Sequence, residues 1–149
     1  MPPILETERL TLRPLQEKDV EALFAIYSDP RAMAFMPILP HEKLEQSQQL
    51  LDYQRGLEGA TYWAVCLKGQ QRMIGQVNYL AQTRVPGMGY ITHPDYWGEG
   101  YTPEACRAAL DYGFGTLGYD RVELWIDETN SASSRVAQKL GFKVRGRLP

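Results

Sequence analysis

Apolar positions recur along the chain with two periods, and the switches between them mark out the elements. Arg9-Leu10-Thr11-Leu12-Arg13 alternates apolar and polar residues, which predicts a half-buried strand ended by Pro14. From Asp19 the period lengthens: Val20, Leu23, Phe24 and Tyr27 share one helical face, with Asp19 as N-cap and Asp29-Pro30 as the stop. Pro37 to Pro40 reads as a loop, and Glu42 to Leu57 as a polar, Gln-rich helix ending at Gly56 or Gly59. Two strands follow, Tyr62–Leu67 and Met73–Leu80, and the short polar link Lys68-Gly69-Gln70-Gln71-Arg72 predicts that they form an antiparallel hairpin. A third strand, Met88–Thr92, runs into a Pro- and Gly-rich loop. A long helix is expected over Pro103–Leu117, with Ala105, Ala108, Ala109, Tyr112 and Leu117 on one face and Gly118 as its C-cap. Arg121–Ile126 alternates cleanly as a strand, and a last helix over Ser131–Leu140 stops at Gly141.

The order is strand, two helices, three strands, helix, strand, helix. Hairpin-linked strands with one strand-helix-strand crossover predict an α/β fold of the mixed, α+β kind, with helices on both faces of the sheet. At 149 residues the chain fits one domain over 1–149. Its 44% hydrophobic and 23% charged residues are ordinary for a globular protein, and a net charge of -2 leaves no footprint for nucleic acid or an anionic membrane surface. No apolar run reaches the ~20 residues of a membrane span, and Met1-Pro2-Pro3-Ile4-Leu5-Glu6 lacks the regions of a signal peptide. Cys66 and Cys106 lie inside apolar segments and read as buried free thiols, which suits a cytoplasmic location. His41 and His93 stand apart and unaccompanied, so no metal site is expected.

Chemistry concentrates in Tyr96-Trp97-Gly98-Glu99-Gly100-Tyr101-Thr102-Pro103-Glu104. Glycines one residue apart leave a strand and open a helix, where free N–H groups and a partial positive charge favour an anion such as a pyrophosphate. Proline suits the first turn because its missing N–H costs little there. A plain strand-to-helix turn would use the same glycines. A P-loop would need Lys-Ser/Thr after the second glycine, where this chain has Tyr101-Thr102, and a dinucleotide fingerprint would need a third glycine where Pro103 stands.

The loop resembles the acyl-CoA loop of the GNAT acetyltransferases, Gln/Arg-x-x-Gly-x-Gly/Ala, with Trp97 in place of Gln/Arg and Thr102 in place of Gly/Ala. Tyr96 to Ala105 is similar to the Tyr-Trp-Gly-x-Gly-Tyr-x-x-Glu-Ala string of the RimJ/RimL-type branch, whose members acetylate protein N-termini. Thr7 to Arg13 looks like the first strand of that branch, and Asn130 to Phe142 like its last helix and turn. The resemblance implies a GNAT fold with a twisted, mostly antiparallel sheet. It also implies transfer of an acetyl group from acetyl-CoA, as co-substrate, to a primary amine on a protein N-terminus or a small molecule. The alternative is a non-catalytic acyl-CoA-binding or sensor module on the same fold.

For the site, the resemblance implies that Trp97, Gly98, Glu99, Gly100, Tyr101 and Thr102 hold the pyrophosphate. Backbone groups near Ile91 and Thr92 would pair with the pantetheine arm, and Asn130 would hydrogen-bond it, unless Asn130 serves only as a helix N-cap. The tyrosine that many members use to protonate the departing thiolate would fall at Ala137, so the resemblance moves that role to Ser133; the alternative is a solvent-facing helix serine. The general base stays open among Glu123, Asp127, Glu128, His93 and Tyr90. Members of the branch continue past the Gly-Phe turn into two more strands, whereas Phe142 to Leu148 suffices for part of one. Either the sequence is truncated or a second copy completes the sheet as a homodimer.

Overall fold

A computed structural model describes residues 1–81 and 84–146. Its centre is a five-stranded antiparallel sheet in sequence order, β1 (Leu5–Glu6), β2 (Leu10–Pro14), β3 (Ala60–Leu67), β4 (Met73–Leu80) and β5 (Gly87–Thr92). The expected hairpin is present: Trp63 faces Val77, and Ala64 faces Gln76. Val65 faces Gly75 and Cys66 faces Met73, which leaves Ile74 as the extra residue of a bulge. Strand β1 is too short to carry a periodic signal and forms by pairing Leu5 with Leu12 and Glu6 with Thr11.

Alternation along the strands separates two cores. Leu10, Leu12, Trp63, Val65, Val77 and Tyr79 meet Ala105, Cys106, Ala109 and Leu110 of the long helix α4 (Tyr101–Gly115) on one face. Ala64, Cys66 and Met73 meet Leu23, Ile26 and Tyr27 of α1 (Val20–Tyr27) and Leu51 of α3 (Leu44–Gly56) on the other. Both cysteines are buried free thiols, and burial pushes Cys106 up to about 12, so it is inert. No helix among the described residues is long and apolar enough to cross a membrane.

Several boundaries differ from the pattern for physical reasons. Asp29-Pro30 ends α1, but Pro30 also opens a short helix, α2 (Pro30–Met33), with Asp29 accepting from the Arg31 amide at 2.9 Å. Asp19 is not the side-chain cap of α1. A 3₁₀ turn over Glu17–Asp19 precedes that helix, and the Asp19 carboxylate reaches back to the Gln16 amide at 2.7 Å. Its oxygens also accept from both terminal guanidinium nitrogens of Arg13, at 2.9 and 2.7 Å. The helix α4 starts at Tyr101, two residues ahead of the expected Pro103, and α5 spans Ser131–Lys139.

The largest departure is Arg121–Ile126. Its alternation is real in the packing, since Val122 is buried and Leu124 packs on the α4 core while Trp125 is 71% exposed. The backbone, however, makes a single parallel bridge, Glu123 to Gly87. Alternation reports which side chains face the core, not whether the backbone finds a ladder partner.

The buried Arg13–Asp19 pair fastens β2 to the start of α1, with side chains 10% and 3% exposed. Removing one partner strands the other charge, so we expect Asp19→Ala to cost about 3–5 kcal/mol in urea unfolding. The paired apolar replacement Arg13→Met with Asp19→Leu should recover most of that loss.

Candidate active site

Strand β5 places the site. His93 N–H donates to the Ile74 carbonyl at 2.8 Å, so by alternation Ile91, Gly89 and Gly87 turn their backbone groups to β4, and Met88, Tyr90 and Thr92 turn theirs outward. Met88 uses its outward N–H on the Glu123 carbonyl at 2.8 Å, and Glu123 N–H returns to the Pro86 carbonyl at 2.9 Å. Beyond that exchange the two segments part. The result is a fork, closed at Met88 and Glu123, with the outward backbone of Tyr90 and Thr92 on one side. Ile91, expected to offer backbone groups to a ligand, spends them on β4; Tyr90 and Thr92 are the residues so placed.

The glycine loop lies at the far end of β5. A 3₁₀ turn over Pro94–Tyr96 follows His93, whose Nδ1 accepts from the Asp95 amide at 3.1 Å. The Trp97 indole N–H then donates back to the Thr92 carbonyl at 2.9 Å, folding the loop onto the strand end. Gly98 and Gly100 both take the left-handed conformation, φ 82° and 81°. Two such residues one apart turn successive amides toward one side, a concave cradle of the kind that holds anions. Gly100 is the N-cap of α4, and the first N–H that finds its carbonyl is Glu104, on Gly100 at 3.3 Å. Tyr101 and Thr102 precede that bond and Pro103 has no N–H, so the helix opens toward the loop with unspent donors. Thr102 Oγ1 lies 2.7 Å from Thr92 Oγ1, tying the helix start to the strand end.

A brace from the opposite end of the chain fixes this loop. Arg9 Nε donates to Glu104 Oε1 at 2.7 Å, and the Arg9 amide and Thr7 hydroxyl donate to Oε2 at 3.0 and 2.6 Å. Arg9 NH1 reaches the Glu99 carbonyl at 2.8 Å, and its guanidinium lies over the Tyr101 ring, 4.5 Å from the centroid. Burial works to raise the Glu104 pKa, but the bonds from Thr7 and Arg9 outweigh it and hold the carboxyl below its usual range. That sign makes the brace a stabilising contact above the ordinary carboxylate range, lost as pH falls through the lowered value. No sequence pattern pairs residues this far apart, and the Arg9–Glu104 contact was not foreseen.

On the other side of the fork, Asn130 is the N-cap of α5. Its Oδ1 accepts from the Ser133 amide and its Nδ2 donates to Ser133 Oγ, both at 3.2 Å. The structure therefore shows the capping role. Half-buried Tyr90 crosses from β5 and donates its hydroxyl to the Ser133 carbonyl at 3.2 Å. Tyr90, Asn130 and Ser133 are thus brought together, while Gly98 to Thr102 form their own cluster at the loop. Of the open general-base candidates, Asp127 is occupied by the Thr129 amide and hydroxyl at 2.9 and 2.6 Å, which hold its pKa low. His93 accepts on Nδ1, which leaves Nε2 as its N–H position. Among the described residues no group of His, Cys, Asp and Glu could hold a metal ion. A hollow of about 590 Å³ between Arg84, Pro86, Tyr119 and Arg121 lies behind the closed end of the fork, away from the loop.

We expect Arg9→Ala to speed hydrogen exchange of the Glu104 amide, the first one bonded at the helix start, at least tenfold, while the amides of β3 keep their protection. Unchanged exchange at Glu104 would show that the helix start holds itself.

The Acetyltransferase (GNAT) domain family matches residues 9–143. The uncharacterized N-acetyltransferase YoaA of Bacillus subtilis is 32% identical over 98% of this chain and 86% of its own length. The spermidine N(1)-acetyltransferase of Escherichia coli K12 is 26% identical over 92% of this chain and 74% of its own. Among solved structures, a GNAT-family acetyltransferase from Bacillus anthracis superposes with a TM-score of 0.88 at 26% identity, covering 97% of this chain and 86% of that one. With a strand fork, a glycine cradle at a helix start and a family match over nearly its whole length, this chain belongs to the GNAT acetyltransferases.

Proposed function

We propose that the protein transfers an acetyl group from acetyl-CoA to a primary amine by direct attack, with both substrates bound at once. The observation that carries this reading is the pairing of two left-handed glycines at the head of α4 with an open strand edge leading to them. The amides of Gly98 to Thr102 suit the pyrophosphate without a basic side chain, since Arg9 is committed to Glu104. Trp97 and Tyr101 wall the loop, and Glu99 is held through its carbonyl. The outward N–H and C=O of Tyr90 and the outward N–H of Thr92 match an amide-bearing pantetheine arm, which would run along the edge as an added strand runs along a sheet. One of these N–H groups, aimed at the thioester oxygen, would stabilise the charge that develops there.

Chain residues supply the rest. The cap geometry leaves Ser133 Oγ accepting from Asn130, which fixes the start of α5 beside the fork. An amine near pKa ~10.4 must shed a proton before it attacks, and water in the open fork is its proposed route. The acceptor is a primary amine. The loop string favours a peptide N-terminus, and the relationship to a spermidine acetyltransferase keeps a polyamine in view.

We expect wild-type protein to bind CoA in calorimetry and to release thiol from acetyl-CoA when offered a panel of N-terminal peptides and polyamines. Gly100→Val should weaken CoA binding at least tenfold. A side chain there meets left-handed strain of ~1–2 kcal/mol, and its Cβ would stand 3.3 Å from Arg9 NH2. An unchanged dissociation constant would remove the pyrophosphate from this loop.

A further inference from the structure

We propose that Tyr90, from strand β5, is the catalytic residue that protonates the CoA thiolate. This rests on the acetyl-transfer reading above and goes beyond it by naming the proton donor.

Three observations place the phenol. Its backbone is one of the two outward-turned groups of the fork, so the residue that would pair with the pantetheine arm is the same residue that carries the hydroxyl. Its side chain crosses toward α5 and ends on the Ser133 carbonyl at 3.2 Å, bridging the two elements between which the arm would lie. Within α5, that carbonyl is the acceptor for the N–H four residues on, which belongs to Ala137. A helical side chain leans back over the preceding turn, so a large residue at 137 would cover the spot where the Tyr90 hydroxyl now ends. The buried methyl of Ala137 leaves that spot to the phenol arriving from the strand.

The local chemistry separates Tyr90 from Ser133. A phenol is a far stronger acid than an aliphatic hydroxyl, and Ser133 Oγ is drawn into the Asn130 cap. Burial raises the Tyr90 pKa, the Ser133 side chain countering it only in part, so the group stays protonated at neutral pH. In the step itself the amine nitrogen attacks the thioester carbon and the carbon–sulfur bond breaks with its electron pair on sulfur. Sulfur takes the phenolic proton, and the phenolate regains the proton released by the nitrogen through water in the fork. The net change is one proton from nitrogen to sulfur, with no other reactant.

The test uses CoA itself and needs no acceptor. A donor aimed at the sulfur stabilises the thiolate, so it lowers the pKa of the bound thiol. The thiol of protein-bound CoA, followed by the ultraviolet absorption of the thiolate, should titrate about one pH unit lower on the wild type than on Tyr90→Phe. Ser133→Ala keeps the backbone carbonyl that holds Tyr90 and should retain the wild-type titration. CoA should bind both variants within threefold of wild type, which shows the fold and the loop intact. The same bound-thiol pKa on wild type and Tyr90→Phe, or a shift lost in Ser133→Ala instead, overturns the assignment. Failure of wild type to bind CoA would instead bring down the acetyl-transfer reading and this inference with it.

Discussion

The backbone of β5 must satisfy two edges at once, and the way it divides its hydrogen bonds governs the site. One edge is fully paired with β4 from Gly75 to Leu80, which fixes the strand's position on the core. Among the described residues the other is paired once, through Met88 and Glu123, and then released. A parallel ladder continued along residues 121–126 would consume the outward groups of Tyr90 and Thr92, leaving a plain sheet without a cleft. An open edge is a liability in an ordinary fold, because unpaired strand groups invite foreign strands. Here the released edge runs from that divergence toward the glycine loop, so a stretch without a strand partner among the described residues leads to a cradle of free amides.

The anion binding proposed for this loop would draw on geometry rather than net charge. The chain is slightly acidic, and Arg9, the guanidinium nearest the loop, is neutralised by Glu104. What remains is a set of N–H dipoles fixed by two positive-φ glycines and a helix start. Fixed dipoles are useful only if they stay fixed. That explains the weight of contacts converging behind the loop: Thr7 and Arg9 on Glu104, Arg9 on Glu99, Thr92 on Thr102, and Trp97 on Thr92. The turn between β1 and β2, far from the loop in sequence, thereby braces the candidate site.

How much of this could be read from the residues depends on the range of the interaction. The two helix-packed faces, the β3–β4 hairpin and the glycine loop are local or periodic, and they were legible. Glu104 was legible only as part of the Tyr96–Ala105 string; its bond to Arg9 has no periodicity to announce it. Asp19 looked like a helix cap because Asp favours that position, but a buried guanidinium from β2 offered it a stronger partner. Arg121–Ile126 carried the right alternation for a strand and the wrong expectation for its backbone. Ile91 and Tyr90 differ by one residue, and that step reverses the edge of the strand to which each backbone points; a sequence without its register cannot choose between them.

In the proposed assignment, the small side chain of Ala137 leaves the strand, rather than the helix, to supply the hydroxyl. A helix position and a strand position separated by more than forty residues converge on one carbonyl, that of Ser133. A side chain reaching that point from α5 would move with the helix. One reaching it from β5 is anchored on the strand whose backbone lines the fork, so hydroxyl and outward amide share a single Cα. Their relative placement is then set by one rotamer and one strand register rather than by the packing of a short terminal helix against the sheet. The helix needs only to present a carbonyl, which any residue at 133 supplies, and that frees the serine for the Asn130 cap that starts α5.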